Sequence, residues 1–279
     1  MSFYISLSGL KGAQADLTTI SNNVANVGST AFKKSRANFG DIFVGQSDGK
    51  GQGVRMLGAQ QQFTQGTLET TDKTLDLAVT GEGFFTVKSA SGETSYTRNG
   101  AFGMDKDRNI IDTTGANVQV LPTAKTGDGT PTSTAASALK NLTIPSVKMD
   151  SATPPAPVSP QVDLSSIAIN TKGVISATYS DGSVENLGVI AMANFPNTEG
   201  LRQAGDAHWG VTGESGTATY GAGDQGQFGA IRSGMLERSN VDITEELVGL
   251  IAAQRNFQAN AKALEASNTL TSTINNIRS

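Results

Sequence analysis

Asp105, Asp107 and Asn109 place three oxygen-bearing side chains at alternate positions, the opening of a calcium-binding loop. The sixth position of such a loop needs a glycine and here is Ile110; the twelfth needs a bidentate glutamate and here is Ala116. The segment therefore reads as a polar turn. Gly81 and Gly83 form a G-x-G fragment followed by Phe84, which lacks the further glycine of a phosphate-cradling loop. Carboxylate pairs occur at Asp72 and Asp76 and at Glu245 and Glu246, and paired carboxylates can exchange protons with a substrate. Nothing in the sequence ties either pair to a pocket, and acids in the first turn of a helix complement its dipole. His208, the only histidine, stands beside Trp209 and is assigned to packing or to the surface. With no cysteine in the chain there is no thiolate nucleophile, no cysteine-held zinc and no disulfide. The expectation is a protein with no catalytic residues, no metal site and no cofactor, and not an enzyme.

The elements that would position these residues fall into a nested order. Near the N-terminus Phe3, Leu10, Leu17 and Val24 recur every seven residues, with Leu7 on a second row and Gly28 as a stop. At the other end Asp242 is placed as an N-cap with Glu245 three residues on, opening a helix that runs towards Ile277 and spans roughly 50 Å. Its apolar row, Ile243, Leu247, Leu250, Phe257, Ala261 and Leu264, has the spacing of a coiled-coil seam, and Leu270, Ile274 and Ile277 continue it on a rotated face. Two readings fit these rows: a helix pair closed within one chain, or helices whose small alanine-rich faces accept neighbouring copies.

Between the helices the sequence alternates strands and glycine turns. Phe84 to Lys88 and Thr94 to Thr97 flank Ser91-Gly92, and Ile167 to Asn170 leads through Lys172-Gly173 into Val174 to Tyr179, then through Asp181-Gly182 into Val184 to Phe195. Seven of the eight prolines lie between Pro122 and Pro160, including Pro154, Pro155 and Pro157, a composition suited to a surface excursion. The predicted class is α+β: long N- and C-terminal helices forming a coiled-coil-like pair, with a central antiparallel β domain. The predicted domains are a discontinuous helical core over 1–30 and 240–279 and a connecting segment over 31–70. A discontinuous β domain over 71–121 and 164–239 and a Pro/Ser/Thr-rich excursion over 122–163, a reduced or absent outer domain, complete the chain. Net charge is -4 and the only dense basic cluster is Lys33, Lys34 and Arg36, which excludes a nucleic-acid partner. The opening MSFYISLSGLKGAQ lacks the layout of a cleaved signal peptide, and no apolar run is long enough for membrane insertion.

Several blocks together resemble one family, the axial rod and hook proteins of the bacterial flagellum. Asn22, Asn23, Ala25 and Asn26 followed by Phe32 and Lys33 are similar to its N-terminal signature, with Ala31 where the family has glycine. Leu75 to Val79 with Gly81 to Phe85, Tyr96 to Gly100 with Phe102, and Leu236 to Asp242 match further blocks in order, as does Gln254, Arg255 and Asn256 leading to Asn260. Together they cover about two-thirds of the chain. The Asp16 to Ile20 run and the Phe39 to Phe43 segment are most similar to the hook members, and the short passage from Val44 to Leu68 lacks the longer insertion of the distal rod members, so the hook is the expected member. The compact length, with the outer domain of hook members reduced to the excursion over 122–163, keeps the distal rod as the alternative. The resemblance implies a structural subunit that polymerises into a helical tube of identical copies through Leu7, Leu10, Leu17 and Val24 at one end and Leu247, Leu250, Phe257 and Leu264 at the other. It also implies passage through the flagellar type III export apparatus and contact with rod, hook cap and hook–filament junction proteins. The location would be the extracellular hook, or the periplasm for a rod subunit. A secreted β-rich adhesin or binding module, a stable monomer with ordered ends, is the reading from another class.

Overall fold

The computed structural model describes residues 2–42, 53–125, 129–148 and 162–278. Phe43, Pro154, Pro155 and Pro157 lie outside the described residues. Among the described residues the chain holds two α-helices and nineteen β-strands. It divides into a terminal unit, residues 1–29, 33–64 and 239–279, and a central unit, residues 30–32 and 65–238.

In the terminal unit, α1 (Ser2–Ala25) stops where Asn26 takes over: its backbone N–H donates to the carbonyls of Asn22 and Asn23, and its side-chain amide donates to Asn22 O at 2.9 Å. The second helix, α2 (Ile243–Arg278), starts on Asp242, whose Oδ1 accepts the N–H groups of Thr244 at 2.8 Å and Glu245 at 3.2 Å. Strands β1 (Ser35–Asp41) and β2 (Val54–Gln61) pair antiparallel from Ser35 opposite Gln61 to Asp41 opposite Val54. Residues 31–70 thus contain a hairpin of the terminal unit.

The helices run antiparallel. Asn23 bonds Glu246, a Cβ on Gly249 would lie 3.5 Å from Ile20, and a Cβ on Gly9 would lie 2.6 Å from Asn260 Oδ1. The facing residues are therefore small or polar, with buried Ala13 and Ala253 among them. This overturns the expected α+β class with a coiled-coil-like pair. The fold is predominantly β, and its two helices meet without a seam of large apolar knobs. The expected row on α1 (Leu10, Leu17, Val24) is rotated about a quarter turn from the Gly9–Ile20 face that meets α2, and it stays half-buried. On α2, Leu247 is exposed while Leu250, Phe257 and Leu264 are half-buried beside the contact.

The central unit is built on a thirteen-stranded antiparallel sheet. Along its main path lie Leu164–Ile169, Val174–Tyr179, Val184–Ile190, Asn117–Leu121, Phe84–Lys88, Thr94–Thr97, His208–Gly210 and Arg202–Gly205. Gly92, Gly173 and Gly182 turn its hairpins with φ of 89°, 78° and 79°, a backbone that side-chain-bearing residues avoid. Local polar caps fix the same turns: Asn170 Oδ1 accepts the N–H groups of Lys172 and Val174, and Asp181 Oδ1 accepts that of Ser183. Leu77, Phe85, Val87, Ile110, Val118, Ile144, Ile175 and Ile190 close the core. Residues of the 122–163 stretch join this sheet through Lys140–Asn141, which pairs with Asn117–Leu121.

Candidate assembly interface

The chemistry-bearing residues of the central unit are occupied by its own architecture. Asp105 Oδ1 accepts the N–H of Lys106, and Asn109 Oδ1 accepts the Thr143 hydroxyl at 2.6 Å. Gly83 holds φ of 119°, a backbone that favours glycine, with the end of the Met192 side chain close by. His208 is buried: Nε2 lies 2.7 Å from Asp112 Oδ2 and Nδ1 lies 3.0 Å from the Asp206 carbonyl. Burial alone would lower the imidazole pKa, but the hydrogen bond and charge of Asp112 outweigh it and hold it above the usual histidine value. Burial likewise pushes the Asp112 carboxyl up, and the bonds from His208, from the Thr114 side chain and from the Ala116 and Thr114 backbones bring it below the usual carboxylate range. Because both ring nitrogens face acceptors, the imidazolium is the species this pocket fits. Among the described residues no three metal-ligating side chains converge.

The motif residues of the terminal unit tie three separate segments together. Asn23 is buried and acts as a surrogate strand partner for β1: Oδ1 accepts the Ser35 N–H at 2.9 Å, and Nδ2 donates to the Ser35 carbonyl at 2.8 Å and to Glu246 Oε2 at 3.1 Å. Asn240 does the same work from the other end of the chain, with Oδ1 accepting the Lys34 N–H at 2.7 Å and Nδ2 donating to the Gln62 carbonyl at 2.8 Å. Lys33 is buried and its ammonium donates to the Thr64 carbonyl at 2.8 Å. Lys34 pairs with the exposed Glu245 at 3.1 Å, a contact of about 0.5 kcal/mol. Asn22, Ala25, Gln254, Arg255 and Asn256 are exposed, and Phe32 is buried in the central unit's portion of the chain. Asp16 lines a cavity of about 270 Å³ with Gly9, Gly12, Phe39 and Asn260, and burial raises its carboxyl pKa.

Sequence reasoning gave Glu246 only a dipole role and missed its burial against Asn23. These partners are 223 residues apart, and no local pattern signals such a contact. The apolar rows read from the sequence included Phe3, Ile243 and Leu247 but not the exposed Tyr4, Ile5, Val248 and Ile251. Phe3, Tyr4 and Ile5 at the start of α1 and Ile243, Leu247, Val248 and Ile251 at the start of α2 are exposed, as are Phe39, Met56 and Leu57 on the hairpin. These large apolar side chains all lie on the terminal unit.

Comparison with known proteins adds two matches to family profiles. Residues 78–177 match the D1 domain described for the flagellar hook protein FlgE/F/G, and residues 232–277 match the C-terminal region described for the flagellar basal body rod FlgEFG protein. The chain is 33% identical to the flagellar basal-body rod protein FlgG of Bacillus subtilis over 295 aligned positions, covering 99% of this chain and 98% of that one. It is 26% identical to the flagellar hook protein FlgE of Escherichia coli over 407 aligned positions, covering 100% of both. The flagellar basal-body rod protein FlgG of Agrobacterium fabrum is 28% identical over 288 positions.

Proposed function

Because this chain belongs to the hook and rod proteins of the bacterial flagellar axis, we propose that its terminal unit polymerises into a tube of identical copies and that the tube is the hook. The observation that carries this reading is the set of exposed apolar side chains on the outward faces of α1 and α2. Burying one such side chain stabilises an interface by about 2 kcal/mol, so a handful can drive association once the helices are ordered. Leu7, Leu10, Leu17, Val24, Leu250, Phe257 and Leu264 flank those faces half-buried and extend the surface on which neighbouring copies pack, with Leu247 inside it.

Subunits travel unfolded through the type III export apparatus, and the ends fold as they add beneath the hook cap. Rod proteins and hook–filament junction proteins are the neighbours at the two ends of the tube. Torque passes through packed side chains, with no catalytic step and no cofactor.

A distal rod subunit in the periplasm is the second reading, and chain length favours it. Aligning this 279-residue chain with the Escherichia coli hook protein takes 407 positions, against 295 with the Bacillus subtilis rod protein. Negative-stain microscopy and sedimentation test the polymer: the full chain forms tubes, and a chain lacking residues 1–30 and 240–279 stays monomeric. A full chain that stays monomeric at every concentration removes the reading. Expression in flagellated cells lacking either their hook or their distal rod subunit separates the two locations. Rescue of swimming in the first strain alone supports the hook, and rescue in the second alone supports the rod.

A further inference from the structure

The two helices expose different apolar groups, one around the start of each. Around the start of α1, Phe3 and Tyr4 project with their rings edge to face at 5.7 Å, and Tyr4 is 73% exposed. Around the start of α2, Ile243, Leu247, Val248 and Ile251 line an outward face, with Val248 64% exposed. That face points away from Glu246, Gly249 and Ala253, the side of α2 that meets α1. The helices run antiparallel, with Gly9 beside Asn260 and Ile20 beside Gly249, so Tyr4 lies near the level of Glu265. The two groups are then roughly 25 Å apart along the helix axes at 1.5 Å per residue. One is a pair of projecting rings, and the other is a shallow aliphatic face.

We propose that the Phe3–Tyr4 end of one copy seats on the Ile243–Ile251 face of the next copy along the tube. This inference rests on the polymer reading above and names its axial contact. A contact between like groups closes on a twofold axis and stops at a dimer. Unlike groups at opposite ends leave one of each free after every addition, and growth continues. The distance between the groups within one copy prevents a chain from satisfying the contact by itself.

The absence of native cysteine makes the test direct. Tyr4→Cys and Val248→Cys are made singly and together in the full chain, assembled, and treated with a short bis-maleimide. The expected result is a linked dimer from an equimolar mixture of the single variants, a ladder of multimers from the double variant, and only background from either single variant alone. Both side chains are exposed, so neither substitution disturbs a core, and sedimentation of each variant as tubes verifies its folding. In parallel, Tyr4→Asp or Val248→Asp raises the concentration needed for assembly about tenfold. Tubes that form while the double variant gives no ladder, or single variants that link to themselves as well as the mixture does, overturn the axial contact and leave the polymer standing. A wild-type chain that forms no tubes overturns both.

Discussion

Ala31 and Ala207 hold φ of 56° and 57°, the left-handed region in which a β-carbon costs about 1–2 kcal/mol. Their surroundings differ, and so do the expected outcomes of replacing each with glycine. Ala207 is half-buried at the tip of the hairpin before His208, so Ala207→Gly relieves strain at little loss of packing and stabilises by about 1 kcal/mol in urea unfolding. Ala31 is fully buried, and the lost methyl burial of about 0.8 kcal/mol plus glycine's extra chain entropy cancels the relief. Ala31→Gly therefore leaves the midpoint nearly unchanged. The departure from glycine at this motif position was legible in the sequence; its near-neutrality was not, because it depends on burial. His208 gives a pH signature. Its pKa is raised on folding, so its stabilisation is full below the unfolded value near 6.5 and is lost as pH rises through the folded value. Asp112 has a lowered pKa, so its share is present above the unfolded value near 4 and is lost as pH falls through the folded one. Thermal midpoints should thus fall on both sides of a plateau between about pH 4 and 6.5. His208→Gln should flatten the alkaline fall, and an unchanged alkaline slope in the variant would count against the pair.

Among the elements, the strands and turns were readable because each signal is local. Ser91-Gly92, Lys172-Gly173 and Asp181-Gly182 carry both the glycine and the alternation around it. The helix starts and stops at Asp242 and Asn26 were readable for the same reason. The packing face of the helices was not. Gly9, Ala13, Gly249 and Ala253 carry little hydropathy contrast, so the seven-residue row of larger side chains pointed to the wrong face. Glycines that permit close approach differ in what they tolerate. A Cβ on Gly100 would lie 1.8 Å from the Leu77 carbonyl oxygen, so Gly100→Ala forces backbone apart and should cost about 3 kcal/mol. On Gly9 the nearest atom is the end of the Asn260 side chain, which can swing aside, and alanine's better helix propensity offsets the disturbance. Asn23 shows what holds α1 to β1 and α2. Asn23→Ala leaves the Ser35 backbone and a buried Glu246 short of partners and should cost about 2 kcal/mol. Asn23→Asp should cost more at neutral pH, because a second carboxylate would face Glu246, and the excess should disappear on acidification. Equal destabilisation of the two variants across that range would show that the Asn23–Glu246 contact contributes little.

At the scale of the whole molecule, the two units differ in what completes them. The central unit closes a core around Phe85, Ile175 and Ile190 within one chain and buries the protein's only tryptophan, Trp209. The terminal unit leaves Tyr4, Val248 and Ile251 in solvent, and its helices meet through small and polar side chains. The polymer reading predicts that its folding is marginal until a neighbouring copy covers those faces, whereas the central unit's is not. Mass action then separates their melting. A partner that binds only the folded form adds stability that grows with its concentration. Helical circular dichroism, dominated by α1 and α2, should melt first in dilute solution and shift upward as protein concentration rises. Trp209 fluorescence should report a higher transition that does not move with concentration. Tyr4→Asp should move the upward shift of the first transition to about tenfold higher protein concentration while leaving the second in place. A single transition, shared by both probes and independent of concentration, would mean that the terminal unit is completed within one chain, as an adhesin-like monomer requires.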